Sequence, residues 1–263
     1  MSLSTSEWPI PLRERLSGCG FAQNHTGMSG SAVYQVRSGD GETAYLKISS
    51  ATRLGSLRSE RDALIWLQGK FPVPDLLYYE EYRGMHYLLA SALSGLDASR
   101  REVLARPEQL VRIYAEGLRE LHRIPIDTCP LRQTLDVKLA EARIRVEENL
   151  VDETDFEPDS KFRTPADVYV HLLDTRPSGE DIVFTHGDYC MPNVIVDNGR
   201  LSGFIDLGRA GTADRYQDIA LAVRSLRHNF GSDRYKESFL EGYGLQEADE
   251  SKIDYYTLLD ELF

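Results

Sequence analysis

The sequence predicts an α+β protein with a small antiparallel β lobe followed by a larger, mainly helical lobe. Three observations carry that prediction. Short β-type runs crowd residues 20–90, and helix-period segments fill most of the rest. Around residue 190, acid and amide side chains sit between short apolar runs. The change of pattern divides the chain into 1–95, a β lobe with its link, and 96–263, a helical lobe. A cleft between two such lobes is the default place for a ligand.

The elements follow in order. The opening "MSLSTSEWPIPLRERL" lacks the apolar core of a signal peptide. The runs "SAVYQVRS", "ETAYLKI", "DLLYYEEY" and "MHYLLA" read as strands, separated by the turn signals "SGDGE" and "YRG". One helix, "SLRSERDALIWLQ", interrupts them. After "SALSGLD" come "PEQLVRIYAEGLRELH", "DVKLAEARIRVEENL", "PADVYVHLLDT", "RYQDIALAVRSLRHNF" and "KIDYYTLLDELF", all with helical spacing. Pro107 and Pro165 suit first-turn positions, where a missing N–H does no harm.

The 263 residues suffice for a substantial core, and 41% hydrophobic with 27% charged residues is an ordinary globular composition. The formal charge is 30 − 42 = −12. An acidic chain is a poor partner for nucleic acid or an anionic membrane, and suits a cationic small molecule. Cys19, Cys129 and Cys190 stand far apart without a CxxC pair, and read as free thiols in a reducing compartment. No apolar run approaches a membrane span. The expected location is the cytoplasm.

The chemistry concentrates in "FTHGDYCMPNVIVDNGRLSGFIDLGR", Phe184 to Arg209. Asn198-Gly199 is the preferred pair for a two-residue type I′ hairpin. Closing the hairpin there puts Asn193 opposite Phe204, with Asp206 one diagonal step away on the same face, roughly 7–8 Å in an ideal ladder. Singly, Asn193 and Asp206 read as turn residues. In this register they read as a Mg²⁺ site, because that ion takes one or two protein oxygens plus substrate phosphates. Asp188, five residues before Asn193, is placed to orient an attacking hydroxyl and accept its proton late in phosphoryl transfer. His186 reads as a hydrogen-bonded support of that loop, and Cys190 as a satisfied thiol without a base to activate it.

The β lobe adds a second anomaly. Leu57, Glu60, Leu64 and Leu67 share one helix face by 3, 4, 3 spacing, which places a carboxylate inside an apolar stripe. A buried carboxylate needs a cation, and Lys47 at the end of "TAYLKI" is the candidate. Such a pair would hold an ammonium group at nucleotide phosphates. Upstream, in "GMSGSAVY", Met28, Ser29 and Gly30 can turn backbone N–H groups toward phosphate, although alone this stretch reads as an ordinary turn.

These residues carry a resemblance. Lys47, Glu60, "HGDYCMPN" and "FIDLGR" stand in the order of the protein-kinase-like superfamily, and the HGDxxxxN form resembles the small-molecule antibiotic kinases. "FIDLGRAGTADRYQDIALAVRS" and the terminal "LLDELF" are similar to the aminoglycoside 3′-phosphotransferases, over nearly the whole chain. The resemblance implies a two-lobed kinase-like fold with nucleotide binding in 1–95 and catalysis and substrate binding in 96–263. It implies transfer of the ATP γ-phosphoryl group to the 3′-hydroxyl of kanamycin- and neomycin-type antibiotics, with Mg²⁺. By position, Lys47 contacts the α/β-phosphates and Glu60 holds it. Ser29 with the backbone of Met28 and Gly30 covers the phosphates, and Ala90, Ser91 and Leu93 lie in the link that holds adenine. Asp188 becomes the catalytic acid/base, and Asn193 and Asp206 the metal ligands.

The resemblance also places antibiotic-binding acids in a helical insert and at the C-terminus. "EENLVDETDFEPD", Glu147 to Asp159, holds seven acids and no Lys or Arg. Its plainest reading is a solvated face, and within the resemblance Asp155 and Glu157 face the antibiotic. Asp260, Glu261 and the Phe263 carboxylate match the terminal acids, and Arg209 anchors acidic groups near them. His228-Asn229 stands where some members have an acidic pair. A macrolide, choline or sugar-amine kinase of the same fold is the nearest alternative. A silent nucleotide-binding module is the alternative from another class. Only about eight residues separate Asp206 from the "DRYQDIA" helix signal, which leaves little room for a protein-kinase activation loop.

Overall fold

The structure, a computed structural model, describes residues 6–24, 31–51, 57–152 and 162–263. The chain divides into two compact units, Met1–Ser94 with Gly203–Gly208, and Gly95–Ser202 with Arg209–Phe263.

The first unit opens with helix α1 (Ile10–Arg15), whose first turn takes Pro9 and Pro11 without loss of a needed N–H. Strands β1 (Gly20–Asn24), β2 (Ala32–Arg37) and β3 (Thr43–Ser50) precede helix α2 (Leu57–Leu67), and β4 (Leu76–Tyr82) and β5 (Met85–Ser91) follow it. They form a five-stranded sheet in the order β1-β2-β3-β5-β4, with antiparallel pairs throughout. The predicted turn at "YRG" closes β4 on β5, with Tyr82 opposite Met85 and positive φ at both Arg83 and Gly84. That is the type I′ geometry that matches strand twist.

Alternation along the strands sorts the two sheet faces. Leu46, Tyr34, Val36, Tyr87 and Leu89 pack with Trp8, Leu12 and Leu16. Each of the fully buried leucines there contributes about 1.5–3 kcal/mol by leaving water. Lys47, the next residue of β3, therefore points to the opposite face. Helix α2 buries Leu57, Ala63, Leu64, Trp66 and Leu67, with Glu60 in the same stripe.

The second unit begins with β6 (Leu96–Asp97), α3 (Arg101–Leu104), α4 (Pro107–Leu121), α5 (Leu135–Glu147) and α6 (Pro165–Asp174). Pro107 and Pro165 occupy first-turn positions, and Thr164 with Asp167 forms a reciprocal capping box. Then come β7 (Ile182–Thr185), a 3₁₀ turn at Met191–Asn193, β8 (Val194–Asp197), β9 (Arg200–Phe204), a second 3₁₀ turn at Leu207–Arg209 and β10 (Gly211–Asp214). Helices α7 (Tyr216–Phe230), α8 (Lys236–Tyr243) and α9 (Glu250–Asp260) complete it. Strand β8 lies between β6 and β9, and β7 pairs with β10. Asn198 and Gly199 both have positive φ, the predicted type I′ hairpin. Helix α7 is buried on most of its surface, which fits an element packed against both α8 and α9.

Three predicted segments end differently. Helix α5 stops at Glu147, and Asn149 has left-handed φ, so "ENL" is not helical. Helix α9 stops at Asp260, leaving Glu261–Phe263 as a short tail. The segment Gly203–Gly208 belongs to the first unit, where Phe204 stacks on Phe71 at 4.9 Å and its N–H donates to the Pro72 carbonyl. A Cβ at Gly203 would lie 2.4 Å from that same carbonyl oxygen, so only glycine permits the approach. Among the described residues, no helix is long and apolar enough to cross a membrane.

Candidate active site

The pairing of β7 with β10 sets Thr185 opposite Gly211, so the residues after β7 run beside the Arg209 backbone. Gly187 has φ of 82°, and a Cβ there would lie 2.0 Å from the Arg209 carbonyl oxygen. Both facts demand glycine. Gly187→Ala is expected to lower Tm and turnover together, measured by thermal denaturation and initial rates. Unchanged values would mean the 209 backbone yields without consequence.

The turn aims Asp188 outward, half-buried, and Asn193 fixes it. Asn193 Nδ2 donates to the Asp188 carbonyl and to its carboxylate Oδ2, both at 2.9 Å. A carbonyl oxygen can only accept, so the amide orientation is determined. His186 is fully buried, and its Nδ1 accepts the Asp188 backbone N–H at 3.3 Å. Burial, and then the Asp188 charge, push the Cys190 thiol far up, so it stays protonated and is no nucleophile.

Sequence reasoning missed the residues that hold this loop. Asp218, in the first turn of α7 and fully buried, accepts the His186 N–H through Oδ2 at 2.6 Å and the Gly187 N–H through Oδ1 at 2.8 Å. His122 Nε2 reaches the same Oδ2 at 3.0 Å, and the Tyr243 hydroxyl bonds His122 Nδ1 at 2.7 Å. A carboxylate only accepts, so His122 carries a proton on Nε2 toward Asp218. Tyr114 and Tyr189 stack at 4.6 Å, and each hydroxyl donates to the other's carbonyl. Ser225 Oγ accepts the Met191 N–H at 2.9 Å. One signal was available: Asp218 is an acid within the apolar pattern "YQDIALAV", the same anomaly that singled out Glu60.

In the first unit, Lys47 Nζ donates to Glu60 Oε1 at 2.6 Å and to the Asp206 carboxylate. Burial alone would lower the lysine pKa, but the charges of Glu60 and Asp206 outweigh it and raise it. Lys47 is therefore a permanent cation at working pH. Asp206 is half-exposed and has φ of 60°, uncommon for a residue with a side chain. Such backbone is retained where surrounding contacts hold it. Ala90, Ser91 and Leu93 lie at the end of β5 and just beyond it. Ser91 is tied to Asp75 through both its N–H and its hydroxyl.

At the C-terminus, Arg209 NH1 donates to Asp260 Oδ1 at 3.1 Å and Arg224 bonds Oδ2. Burial acts against the charge of Asp260, but the two guanidinium groups prevail and hold its pKa low. Glu261 is buried. The Phe263 ring has Lys138 at 4.7 Å, Arg145 at 5.2 Å and Arg209 at 5.4 Å, a cluster of cation–π contacts. Met28, Ser29, Gly30, Asp155 and Glu157 lie outside the described residues. A concavity of about 470 Å³ around Asn198 at the β8–β9 turn contains none of the predicted site residues.

The fold is that of the kinase-like phosphotransferases. The crystal structure of a type VIII aminoglycoside-3′-phosphotransferase matches with a TM-score of 0.87 and 32% identity, covering 96% of this chain and 97% of that one. The chain belongs to the phosphotransferase enzyme family, whose model matches residues 22–256. It is 50% identical, over the full length of both chains, to an aminoglycoside 3′-phosphotransferase of Niallia circulans. The aminoglycoside phosphotransferase APH(3″)-Id of Streptomyces rimosus, solved with ADP and streptomycin, matches with a TM-score of 0.84 and 28% identity, covering 99% of this chain and 98% of that chain.

Proposed function

We propose that the protein is an aminoglycoside 3′-phosphotransferase, acting in the cytoplasm, that moves the ATP γ-phosphoryl group to the 3′-hydroxyl of kanamycin- and neomycin-type antibiotics and so confers resistance. One observation carries the reading. The Asp188 carboxylate is fixed by Asn193 on a braced loop, in a chain alike along its whole length to enzymes of that name.

The roles follow from the chemistry of each group. Lys47, kept charged by Glu60 and Asp206, binds the α/β-phosphates. Residues 28–30 cover the phosphates with backbone N–H groups, and Ala90, Ser91 and Leu93 border the adenine. The acceptor oxygen bonds to the γ-phosphorus as the bond to the ADP oxygen breaks, and Asp188 receives the hydroxyl proton. Asp206 and Asn193 would be the Mg²⁺ ligands, since each offers an oxygen of the kind that ion takes alongside phosphate and water. When bound it neutralises charge on the phosphates.

The antibiotic's ammonium groups are met by Glu261, the Phe263 carboxylate and the acids of 147–159, among them Asp155 and Glu157. Asp260 has both oxygens on guanidinium groups, so Arg209 and Asp260 mainly set the position of the tail. Removing the last four residues is expected to raise KM for kanamycin about 10-fold or more, the equivalent of one charge-assisted bond. KM for ATP should change far less, and equal loss of both would count against the assigned role.

The deciding assay offers kanamycin, erythromycin and choline separately with Mg·ATP, measures ADP, and locates the new phosphate by NMR. Phosphate at the kanamycin 3′-oxygen is expected. Consumption of choline with kanamycin ignored overturns the reading.

A further inference from the structure

Lys138 projects from α5 into the interior of the second unit and is 3% exposed. Among the described residues its ammonium makes no ion pair and no hydrogen bond, and the Phe263 ring lies 4.7 Å from it. An ammonium carries three donors, and burying it without acceptors is unfavourable. Nearby is the complementary fault. Gln217 is 7% exposed, and its Nε2 donates to the Gly187 carbonyl at 3.3 Å while its Oε1 has no partner. The Tyr256 hydroxyl, close to the Asp214 carboxylate, also lacks a partner at hydrogen-bond distance.

These three side chains line one cavity with Asp260 and Phe263, and its volume is about 10 Å³. A space near that size admits a single water, and a water that stays in a protein interior needs two to four polar partners. A donor without an acceptor and an acceptor without a donor supply them.

We propose that one water molecule binds between the Lys138 ammonium and the Gln217 amide oxygen, and that Lys138 acts through it as a positioning residue for the Gly187–Asp188 turn. The water accepts an N–H from Lys138 and donates to Gln217 Oε1, and Gln217 passes the constraint to the Gly187 carbonyl. Its second hydrogen faces Tyr256 or Asp260. The charged groups around Lys138 are Glu141 on its own helix, Asp260, Asp188, Arg209, and Arg145 on the shared ring. Burial first, then Arg209, outweigh the acids and bring the lysine down to about 8. As pH rises through that value the ammonium becomes a neutral amine, its bond to the water loses the charge that strengthens it, and turnover falls.

The inference rests on the phosphotransferase reading, and its test separates the two. A crystal structure of the full chain at pH 6.5 should show an ordered water about 3 Å from both Lys138 Nζ and Gln217 Oε1. At saturating kanamycin and ATP, wild-type kcat should decline through pH 8, with substrate ionisation common to both proteins. Lys138→Met should have kcat about 10-fold lower at pH 7, no decline at pH 8 beyond that common part, an unchanged KM for ATP and no loss of Tm. Absence of the water, or identical pH profiles for the two proteins, overturns the proposal. A wild-type chain inert toward kanamycin defeats the functional reading instead, and the crystal structure still decides the water site.

Discussion

Replacing Asp188 with asparagine is expected to lower turnover by about 10²-fold or more, the usual contribution of a positioned general base. The substitution is isosteric, and the amide oxygen can still accept from Asn193 Nδ2, as the carboxylate Oδ2 does now. The backbone bonds around the turn involve His186, Cys190 and Asp218 and do not use the Asp188 side chain. Loop shape and thermal stability should therefore persist while the proton acceptor is lost. Initial rates at saturating kanamycin and ATP, paired with a melting curve, measure both. Wild-type turnover in Asp188→Asn removes that carboxylate from the mechanism. A fall in Tm that tracks the fall in rate would make it a loop brace instead.

The Lys47–Glu60 pair and the Asn198-Gly199 hairpin were legible in the sequence, and the scaffold of the Asp188 loop mostly was not. Glu60 announced itself because helical spacing alone put a carboxylate in an apolar stripe, and β3 offered one lysine on the matching face. Asn198-Gly199 announced a hairpin because few residue pairs tolerate two successive positive φ values. Both are local signals. By contrast, Asp218 bonds to backbone amides 31 and 32 residues away, and backbone amides leave no mark on a side-chain pattern. The same reason hid Gln217, whose partner is a carbonyl.

Unit membership of one segment has a related cause. Gly203–Gly208 lies in sequence amid the second unit, yet a stacked Phe71–Phe204 pair and a glycine pressed on Pro72 assign it to the first. Those are long-range packing facts that periodicity does not encode. Short elements were also missed. Helix α1 spans six residues between prolines and arginines, and α8 carries Gly242 near its end, so neither offers a long periodic stretch. The end of α5 misled in the opposite sense: "ENL" continues the helical composition, but Asn149 turns left-handed.

Asp218→Asn should be among the most damaging conservative substitutions outside the reacting groups. The carboxylate is fully buried and accepts three N–H donors, with Oδ1 taken by Gly187 and Oδ2 shared by His186 and His122. An amide has one accepting oxygen, so its NH₂ must face at least one of these donors. The less harmful orientation turns NH₂ toward Gly187 N, which loses that bond and sets donor against donor beside Asp188. Removing the charge also weakens the two bonds that remain, since bonds to ionised groups are about twice as strong as neutral ones. Breaking a buried charged network in this way costs about 3–5 kcal/mol, and for a chain of this size about 2–4 °C in Tm accompanies each kcal/mol. A fall in Tm of about 10 °C or more is therefore expected, with reduced kcat in the fraction that remains folded. Thermal denaturation followed by circular dichroism, and initial rates below the transition, measure the two effects. A Tm within about 2 °C of wild type would mean that the His186 and Gly187 amides find other acceptors, and that the loop is braced from α4 through the reciprocal Tyr114–Tyr189 bonds instead.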